Sequence, residues 1–400
     1  MISTRARGLK PSPTMAMANK ARDLAKEGKD VVSLTVGEPD WATSEVASRA
    51  GIQAIEEGFT KYTAAAGIPE LRKALAKTLS EELKVSYSDS QVVVGSGAKF
   101  VIYAALQMLV DPGQEVLIPS PYWVSYPTMV ELSGGKPVIL DCPENQNFKL
   151  TAAQLDRADT PNTKALILCS PSNPTGLCYT KEELLQLAEV IRKHPNLIVI
   201  SDDIYNRLIW GQELVAPHLL HVAPDLQKQL VVVNGASKSF SMTGWRIGWA
   251  ACPEVLAKVM ADYFSQSTSN VSSITQKATL KALENPGPEI SRVREVLKKR
   301  LAIMQKGLAA VPGVRVIDPQ GAFYIWLNVE GWIGKTHRPT QKKIAGSADV
   351  ANLLLEQELV ATVPGAEFGT EGYLRLSFAT SEAHLQKALT RFAHFAENLG

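Results

Sequence analysis

Val231-Val232-Val233-Asn234-Gly235-Ala236-Ser237-Lys238-Ser239-Phe240, continued by Ser241-Met242-Thr243-Gly244-Trp245-Arg246-Ile247-Gly248-Trp249, decides how the chain is read. A β-branched run that stops at Asn-Gly is a buried strand ending in a turn. Open α/β sheets place their ligands beyond the carboxyl ends of the strands, and Ser237 and Lys238 fall there. A lysine held at such a point loses hydration, which disfavours its ammonium form and leaves an amine able to attack a carbonyl. Lys238 is thus a candidate Schiff-base lysine, with a solvated surface lysine as the alternative. Apolar flanks rather than other charges surround it, and Arg246 follows between Trp245 and Ile247. A guanidinium in so apolar a stretch calls for an anionic partner, and a phosphate shared with Ser237 would serve.

Ser237-Lys238 together with Met242-Thr243-Gly244-Trp245-Arg246-Ile247-Gly248 resembles the pyridoxal-phosphate attachment segment of class I aminotransferases, in particular the aspartate/prephenate aminotransferases of bacteria and plants. The likeness runs from about Lys10 to Phe392, and several separate motifs keep the family's order, which is more specific than any one of them. It implies an α/β protein of fold type I: a large domain with a mostly parallel sheet and one antiparallel strand, plus a small α+β domain. The expected division is 1–45 for an N-terminal arm that joins the small domain, 46–285 for the large cofactor-binding domain and 286–400 for the C-terminal small domain.

Composition is that of an ordinary soluble globular protein. With 400 residues, 45% hydrophobic and 20% charged, the chain can bury two or three cores. Its net charge of +2 is dispersed, which gives neither a nucleic-acid footprint nor a membrane-binding face. Cys142, Cys169, Cys178 and Cys252 are widely spaced and suggest free thiols in a reducing compartment, so the expected location is the cytoplasm. Arg5, Arg7 and Lys10 have no apolar stretch behind them and do not form a secretory signal. No metal is expected, and His218 and His221 read as loop residues without ligand-type partners.

The remaining motifs fall around the same sheet. Val31 to Val36 reads as a strand that breaks at Gly37-Glu38-Pro39-Asp40, where the resemblance puts Gly37 against the substrate and a plain turn glycine is the alternative. Tyr62 lies in a loop before a helix that opens near Pro69. In the family the matching tyrosine reaches the cofactor phosphate of a neighbouring subunit, which implies a homodimer with shared sites. Gly95-Ser96-Gly97-Ala98-Lys99 turns from a strand into an apolar helix, so backbone N–H groups at the positive end of its dipole can cradle a phosphate. A dinucleotide fingerprint is the rival, but Phe100 occupies the place of its third glycine, and Glu115 begins the next strand where the ribose-binding acid should end it.

Trp123 stands in an aromatic cluster at the sheet edge and matches the family's cofactor-stacking tryptophan; such aromatics are otherwise core. Asn173, stiffened by Pro171 and Pro174, sits in a loop like the family's cofactor loop. Asp202 ends a strand in apolar surroundings and needs a cation or several donors. The resemblance pairs it with the pyridinium nitrogen and sets Tyr205 against the cofactor's phenolic oxygen; where the family usually continues with glutamate, this chain has Asp203.

From Pro253 long helices precede a few strands and a terminal helix, the pattern of a separate small lobe, and 331–346 reads as a solvated basic loop. Arg375, in the alternating strand Gly372 to Phe378, can grip a carboxylate through two parallel hydrogen bonds, or simply form a structural salt bridge. The resemblance makes it the α-carboxylate arginine. It also associates Lys99 and Thr14 with acidic substrates and prephenate, while Lys99 serving the phosphate or solvent stays open.

The activity implied is pyridoxal 5′-phosphate-dependent amino transfer between amino acids and 2-oxo acids, aspartate to 2-oxoglutarate first, by a ping-pong mechanism. Prephenate use or a different fold type I pyridoxal enzyme are alternatives. A regulator built on this domain would carry a DNA-binding module of on the order of 50 residues or more, and only about thirty precede Leu34.

Overall fold

The computed structural model describes residues 1–3, 7–9 and 11–400, so two of the basic N-terminal positions, Arg5 and Lys10, lie outside the described residues. Among the described residues, no helix is long and apolar enough to cross a membrane.

The chain enters through helix α1 (Pro13–Lys26), with proline at its start where a missing N–H costs nothing, and a two-residue strand β1 (Val32–Ser33). The strand expected over Val31 to Val36 is cut short because its backbone is shared. Leu34 N–H donates to Ala361, the Leu34 carbonyl accepts from Ser377 N–H, and the Thr35 carbonyl accepts from Arg375.

Seven strands then build the central sheet: β2 (Val92–Gly95), β3 (Glu115–Ser120), β4 (Lys136–Asp141), β5 (Thr163–Cys169), β6 (Ile198–Asp202), β7 (Leu230–Gly235) and β8 (Gly248–Ala251). Their spatial order is β2-β8-β7-β6-β5-β3-β4, and β8 alone runs against its neighbours. Val231, Val232 and Val233 are fully buried, the two-faced burial of a strand inside a parallel sheet. Helices α2 (Glu45–Glu56), α3 (Pro69–Leu83), α4 (Ala98–Leu109), α5 (Tyr126–Leu132) and α6 (Lys181–Lys193) surround the strands. Helix α6 is set by a capping box in which Thr180 and Glu183 satisfy each other's backbone N–H.

Two further helices, α7 (Glu254–Ser267) and α8 (Ser273–Glu284), pack on β2, α4, α2 and α3. They therefore belong with the seven-stranded sheet, although the change of pattern at Pro253 groups them in sequence with the later segment. Their apolar residues complete the two cores on either side of that sheet, which run from Ala47 to Leu283 and from Val93 to Phe264.

A second body of core gathers residues from α9 (Gly287–Leu308) to Leu399, with Val32 and Leu34 from the N-terminal segment and Ile204, Tyr205 and Leu208 from the turn after β6. Its four-stranded antiparallel sheet runs β14 (Val363–Pro364), β15 (Tyr373–Ser377), β10 (Tyr324–Asn328) and β9 (Arg315–Ile317). The segment expected to be a loop instead carries a small hairpin, β11 (Thr336–His337) with β12 (Lys342–Lys343), while β13 (Val360–Ala361) pairs with β1. Helices α10 (Ser347–Glu358) and α11 (Glu382–Glu397) close this part.

The segment after β1 is fastened to it by a bidentate ion pair. Arg300 on α9 holds Asp40 at 2.7 and 3.0 Å, and Trp41 lies against the Arg300 and Arg292 guanidinium groups.

Candidate active site

The carboxyl ends of β5, β6 and β7 and the first turn of α4 open on one cavity of about 380 Å³. Lys238, Asp202, Tyr205, Asn173 and Ser237 line it from the sheet; Ala98, Lys99, Trp123 and Arg246 line it from the side of α4; Gly37, Arg375 and Thr14 close it. Positions spread from the N-terminal arm to β15 thus converge on one space.

Lys238 lines the cavity, and its Nζ donates to the carbonyl of another lining residue, Gly37, at 2.5 Å. With water stripped from the amine, burial pulls its pKa down to about 8, against the opposing pull of the Glu38 carboxylate. That is the free-amine character the strand-end position calls for.

Asp202 is buried and has donors rather than a cation. The Tyr126 hydroxyl reaches it at 2.6 Å and the Ile204 N–H at 3.3 Å. Burial raises its pKa, and the Tyr126 hydrogen bond works in the other direction by favouring the carboxylate. Beside it the Tyr205 hydroxyl meets that of Tyr324 at 2.7 Å.

Glycines shape the wall nearest α4. Gly97, the N-cap of α4, sits at φ 93°, and a Cβ there would collide with the Arg246 guanidinium. A Cβ on Gly248 would strike the backbone of Gly97 and Ala98. The two absent side chains let the helix N-terminus, its free N–H groups and Arg246 approach one point, which makes an anion cradle. Arg246 itself is exposed, not buried in the apolar stretch around it. Its backbone is left-handed at φ 56°, which turns the side chain out of the core, and its guanidinium donates to the carbonyls of Thr243 at 2.9 Å and Ser96 at 3.4 Å.

Arg375 is buried to 2% exposure and has no acidic partner among the described residues. Its Nη1 donates to the Asn173 amide oxygen at 3.0 Å and its Nη2 to the Thr35 carbonyl at 2.5 Å, while Nε meets no partner among the described residues. The Tyr324 and Phe368 rings face the guanidinium at 4.5 and 5.0 Å. Lys99 likewise lacks an acid among the described residues; its Nζ lies 4.8 Å from the centre of the Trp123 ring, and burial lowers its pKa. The Thr14 hydroxyl is buried at the same cavity, again without a partner among the described residues.

Tyr62 is not brought to the cavity within the chain: it is 90% exposed. His218 lies in a loop as expected, whereas His221 is a correction, since it falls inside a short helix, Leu219–Val222; His218 caps that helix and is buried. Its Nε2 stands 3.1 Å from the Ser201 hydroxyl and 3.5 Å from Asp203, and burial pulls its pKa down to about 3. Because its Nδ1 accepts from the Leu220 N–H, the proton sits on Nε2, and the ring acts as a neutral donor behind the sheet. Among the described residues, no group of three or more His, Cys, Asp or Glu is placed to hold a metal ion.

Of the lining residues that escape a reading of the sequence, two place a hydroxyl against an expected site residue, Tyr126 and Tyr324. Their partners lie 76 and 119 residues away, so no local pattern could announce them. The aromatic density of the 121–126 stretch is the only signal for the first.

The sequence model of the family Aminotransferase class I and II matches residues 29–392. The chain is 43% identical to the aspartate/prephenate aminotransferase of Cereibacter sphaeroides, over 98% of this chain and 97% of that one. It is 42% identical to the aspartate aminotransferase of Geobacillus stearothermophilus, over 99% of each. Among solved structures, the aspartate aminotransferase from Rhizobium meliloti superposes with a TM-score of 0.96 at 38% identity, over 100% of both chains. That from Thermus thermophilus with maleate gives 0.90 at 40% identity, over 99% of each.

An aldehyde reagent trapped with borohydride is expected to label Lys238 first. The rate should rise as pH climbs through about 8, because the amine fraction of Lys238 grows there, whereas solvated lysines with values near ~10.4 stay protonated. Peptide mapping reads the site, and a dominant label on another lysine overturns the assignment.

Proposed function

The chain belongs to the class I and II aminotransferases, and we propose that it moves the amino group of aspartate to 2-oxoglutarate with pyridoxal 5′-phosphate as cofactor, the donor leaving as a 2-oxo acid before the acceptor enters. One observation carries the reading. Four cations, Lys99, Lys238, Arg246 and Arg375, line the cavity against a single carboxylate, Asp202, and none of the four has an acidic hydrogen-bond partner among the described residues. Charge of one sign gathered in a cavity without a counter-charge is costly, so the ligands that complete this site are anions. A phosphate at the α4 cradle and the two carboxylates of aspartate or 2-oxoglutarate match that charge in number and spread. The relatives' names favour the same substrates, and one solved neighbour holds maleate, a dicarboxylate.

The residues present fit the cofactor: the cradle that a Cβ at Gly97 would fill suits a phosphate, the Trp123 face suits a flat ring, and the buried Asp202 carboxylate suits a pyridinium. Pyridoxal phosphate, when bound, supplies an aldehyde for the amino group and a ring that accepts the electron pair released at the substrate Cα. In this reading Ser237, Arg246 and the N–H groups of Gly97 and Ala98 hold the phosphate. Lys99 is close enough to that cradle to feel the Arg246 charge, and its ammonium reaches back over Trp123 towards the substrate's distal carboxylate. Arg375 grips the α-carboxylate, aligned by Asn173 and the Thr35 carbonyl. Gly37 leaves room for that carboxylate and offers its carbonyl to Lys238. Lys238 Nζ, released as an amine, takes the proton from the donor's Cα and later returns one to the acceptor's. Asp202 keeps a ring nitrogen protonated, and Tyr126 and the Ile204 N–H hold it ionised against its burial. Tyr205 donates to the phenolic oxygen.

Prephenate is the second acceptor we propose, because the Thr14 hydroxyl, which no described residue satisfies, is buried in the lining of the same cavity. We propose further a homodimer with shared sites. Tyr62 and, on α2, Val46, Ile52 and Ile55 are exposed large hydrophobic side chains of the kind a second copy would cover. The divisions 1–45, 46–285 and 286–400 are proposed as the domains, in keeping with the two sets of cores. The four free thiols support a cytoplasmic location.

The decisive measurement is the ratio of kcat/KM for aspartate to that for an uncharged amino acid. Lys99→Met should lower aspartate turnover by about 2–5 kcal/mol of transition-state binding, while alanine or phenylalanine, still held by Arg375, falls much less. Equal losses for all donors would assign Lys99 to the cofactor. Thr14→Val should lower prephenate use selectively. Inactive Lys238→Ala and Tyr62→Ala chains, mixed and re-associated, should partly restore activity, because one site of each heterodimer receives both intact residues; full activity of a dilute monomer contradicts the shared site.

A further inference from the structure

Tyr324 enters the cavity from β10 and touches three functional groups at once. Its hydroxyl lies 2.7 Å from that of Tyr205, and the two rings meet edge to face at 79°. The same hydroxyl fills the space a side chain at Gly37 would need, so it abuts the loop whose carbonyl receives the Lys238 amine. Its ring face receives the Arg375 guanidinium at 4.5 Å. The residue is buried to 1%, and among the described residues Tyr205 is the only hydrogen-bond partner of its hydroxyl.

That last fact fixes a direction. Burial raises the pKa of both phenols, so each keeps one proton and the pair shares one hydrogen bond. Whenever Tyr205 gives its proton to a ligand oxygen, the Tyr205–Tyr324 bond can only run from Tyr324 to Tyr205. A donor that is itself a hydrogen-bond acceptor is polarised and donates more strongly.

We propose that Tyr324 is a positioning residue that acts through Tyr205: its hydroxyl donates to the Tyr205 oxygen, orients the Tyr205 proton towards the cofactor's phenolic oxygen and strengthens that donation. The proposal rests on Tyr205 serving that oxygen. Tyr324 keeps a second task that needs only its ring, the support of Arg375, and the two tasks separate cleanly in a Tyr324→Phe chain.

The readout is the pH midpoint of the visible absorbance of the enzyme with its Lys238-bound cofactor. The proton titrated sits on the nitrogen joining the two and is shared with the phenolic oxygen. A Tyr205 proton drains charge from that oxygen and loosens the shared proton, which lowers the midpoint. Tyr324→Phe should therefore raise the midpoint, by less than Tyr205→Phe does, and the double variant should match Tyr205→Phe alone because the effect passes through Tyr205. It should lower kcat while leaving the KM for aspartate nearly unchanged, since the phenyl ring still faces Arg375. As an independent variant, 3-fluorotyrosine at 324, a more acidic phenol, should move the midpoint down. An unchanged midpoint in Tyr324→Phe, with Tyr205→Phe shifted, overturns the proposal and leaves the Tyr205 reading standing. An unchanged midpoint in Tyr205→Phe removes that reading and the proposal together.

Discussion

The structure depends on how positive charge is held without acids. Arg375 is the extreme case, a guanidinium withdrawn from water whose supports are an amide oxygen, a backbone carbonyl and two aromatic faces. The same solution recurs around the cavity. Lys238 rests on the Gly37 carbonyl, Arg246 on the carbonyls of Thr243 and Ser96, and Lys99 on the Trp123 ring. Dipoles and π-faces orient a cation and soften its desolvation, but they do not neutralise it. An acid in any of these places would form a tighter protein and a poorer binding site, since the ligand would have to displace it. The ion pairs found elsewhere, such as Arg300 with Asp40 and Arg207 with Glu82, show the chain giving buried arginines an acid away from the cavity.

Those neutral supports come from distant parts of the chain, which is why separate cores are needed to make one site. The seven-stranded sheet delivers Asp202 and Lys238 at strand ends, and the glycines at 97 and 248 bring the α4 N-terminus against β8. The C-terminal core delivers Arg375 and Tyr324 on adjacent antiparallel strands. The N-terminal segment passes between them and divides its backbone between both, with the Leu34 carbonyl to Ser377, Thr35 to Arg375 and Gly37 to Lys238. The same sharing explains why β1 ends after two residues.

How much of this was legible depends on where each signal lived. Val231 to Val233 and the neighbouring strands could be read because burial on both faces writes an uninterrupted apolar run, and α6 because its capping box is local in sequence. Lys238, Asp202 and Arg375 were legible as strand-end or strand residues whose chemistry is at odds with their apolar neighbours, and Asn173 through its proline-stiffened loop and that loop's family likeness. Arg246 shows the limit of that argument, because sequence neighbours are not spatial neighbours once a left-handed residue turns the side chain outward. His218 shows it from the other side: it lies in a loop, as its Pro- and Leu-rich stretch suggests, yet nothing local announces that it is buried, caps a short helix and donates to a buried serine. The roles of Tyr126 and Tyr324 could not be read, beyond the aromatic density around the first, since their meaning lies in partners far away in the chain. Helix α5 hid because seven residues with a proline near its start carry too little periodicity to be seen.

The clasp between Asp40 and Arg300 ties the site to the C-terminal core. Gly37 precedes Asp40 by only three residues, so the carbonyl that receives the Lys238 amine sits in a loop held by helix α9, whereas Lys238 itself stands in the turn just beyond β7. A displacement of the C-terminal core over the sheet would therefore load that bond together with the neighbouring ties of Glu38 to Thr243 and of Thr43 to Ser241. The basicity of a single nitrogen would then register how the two bodies of core are seated on one another.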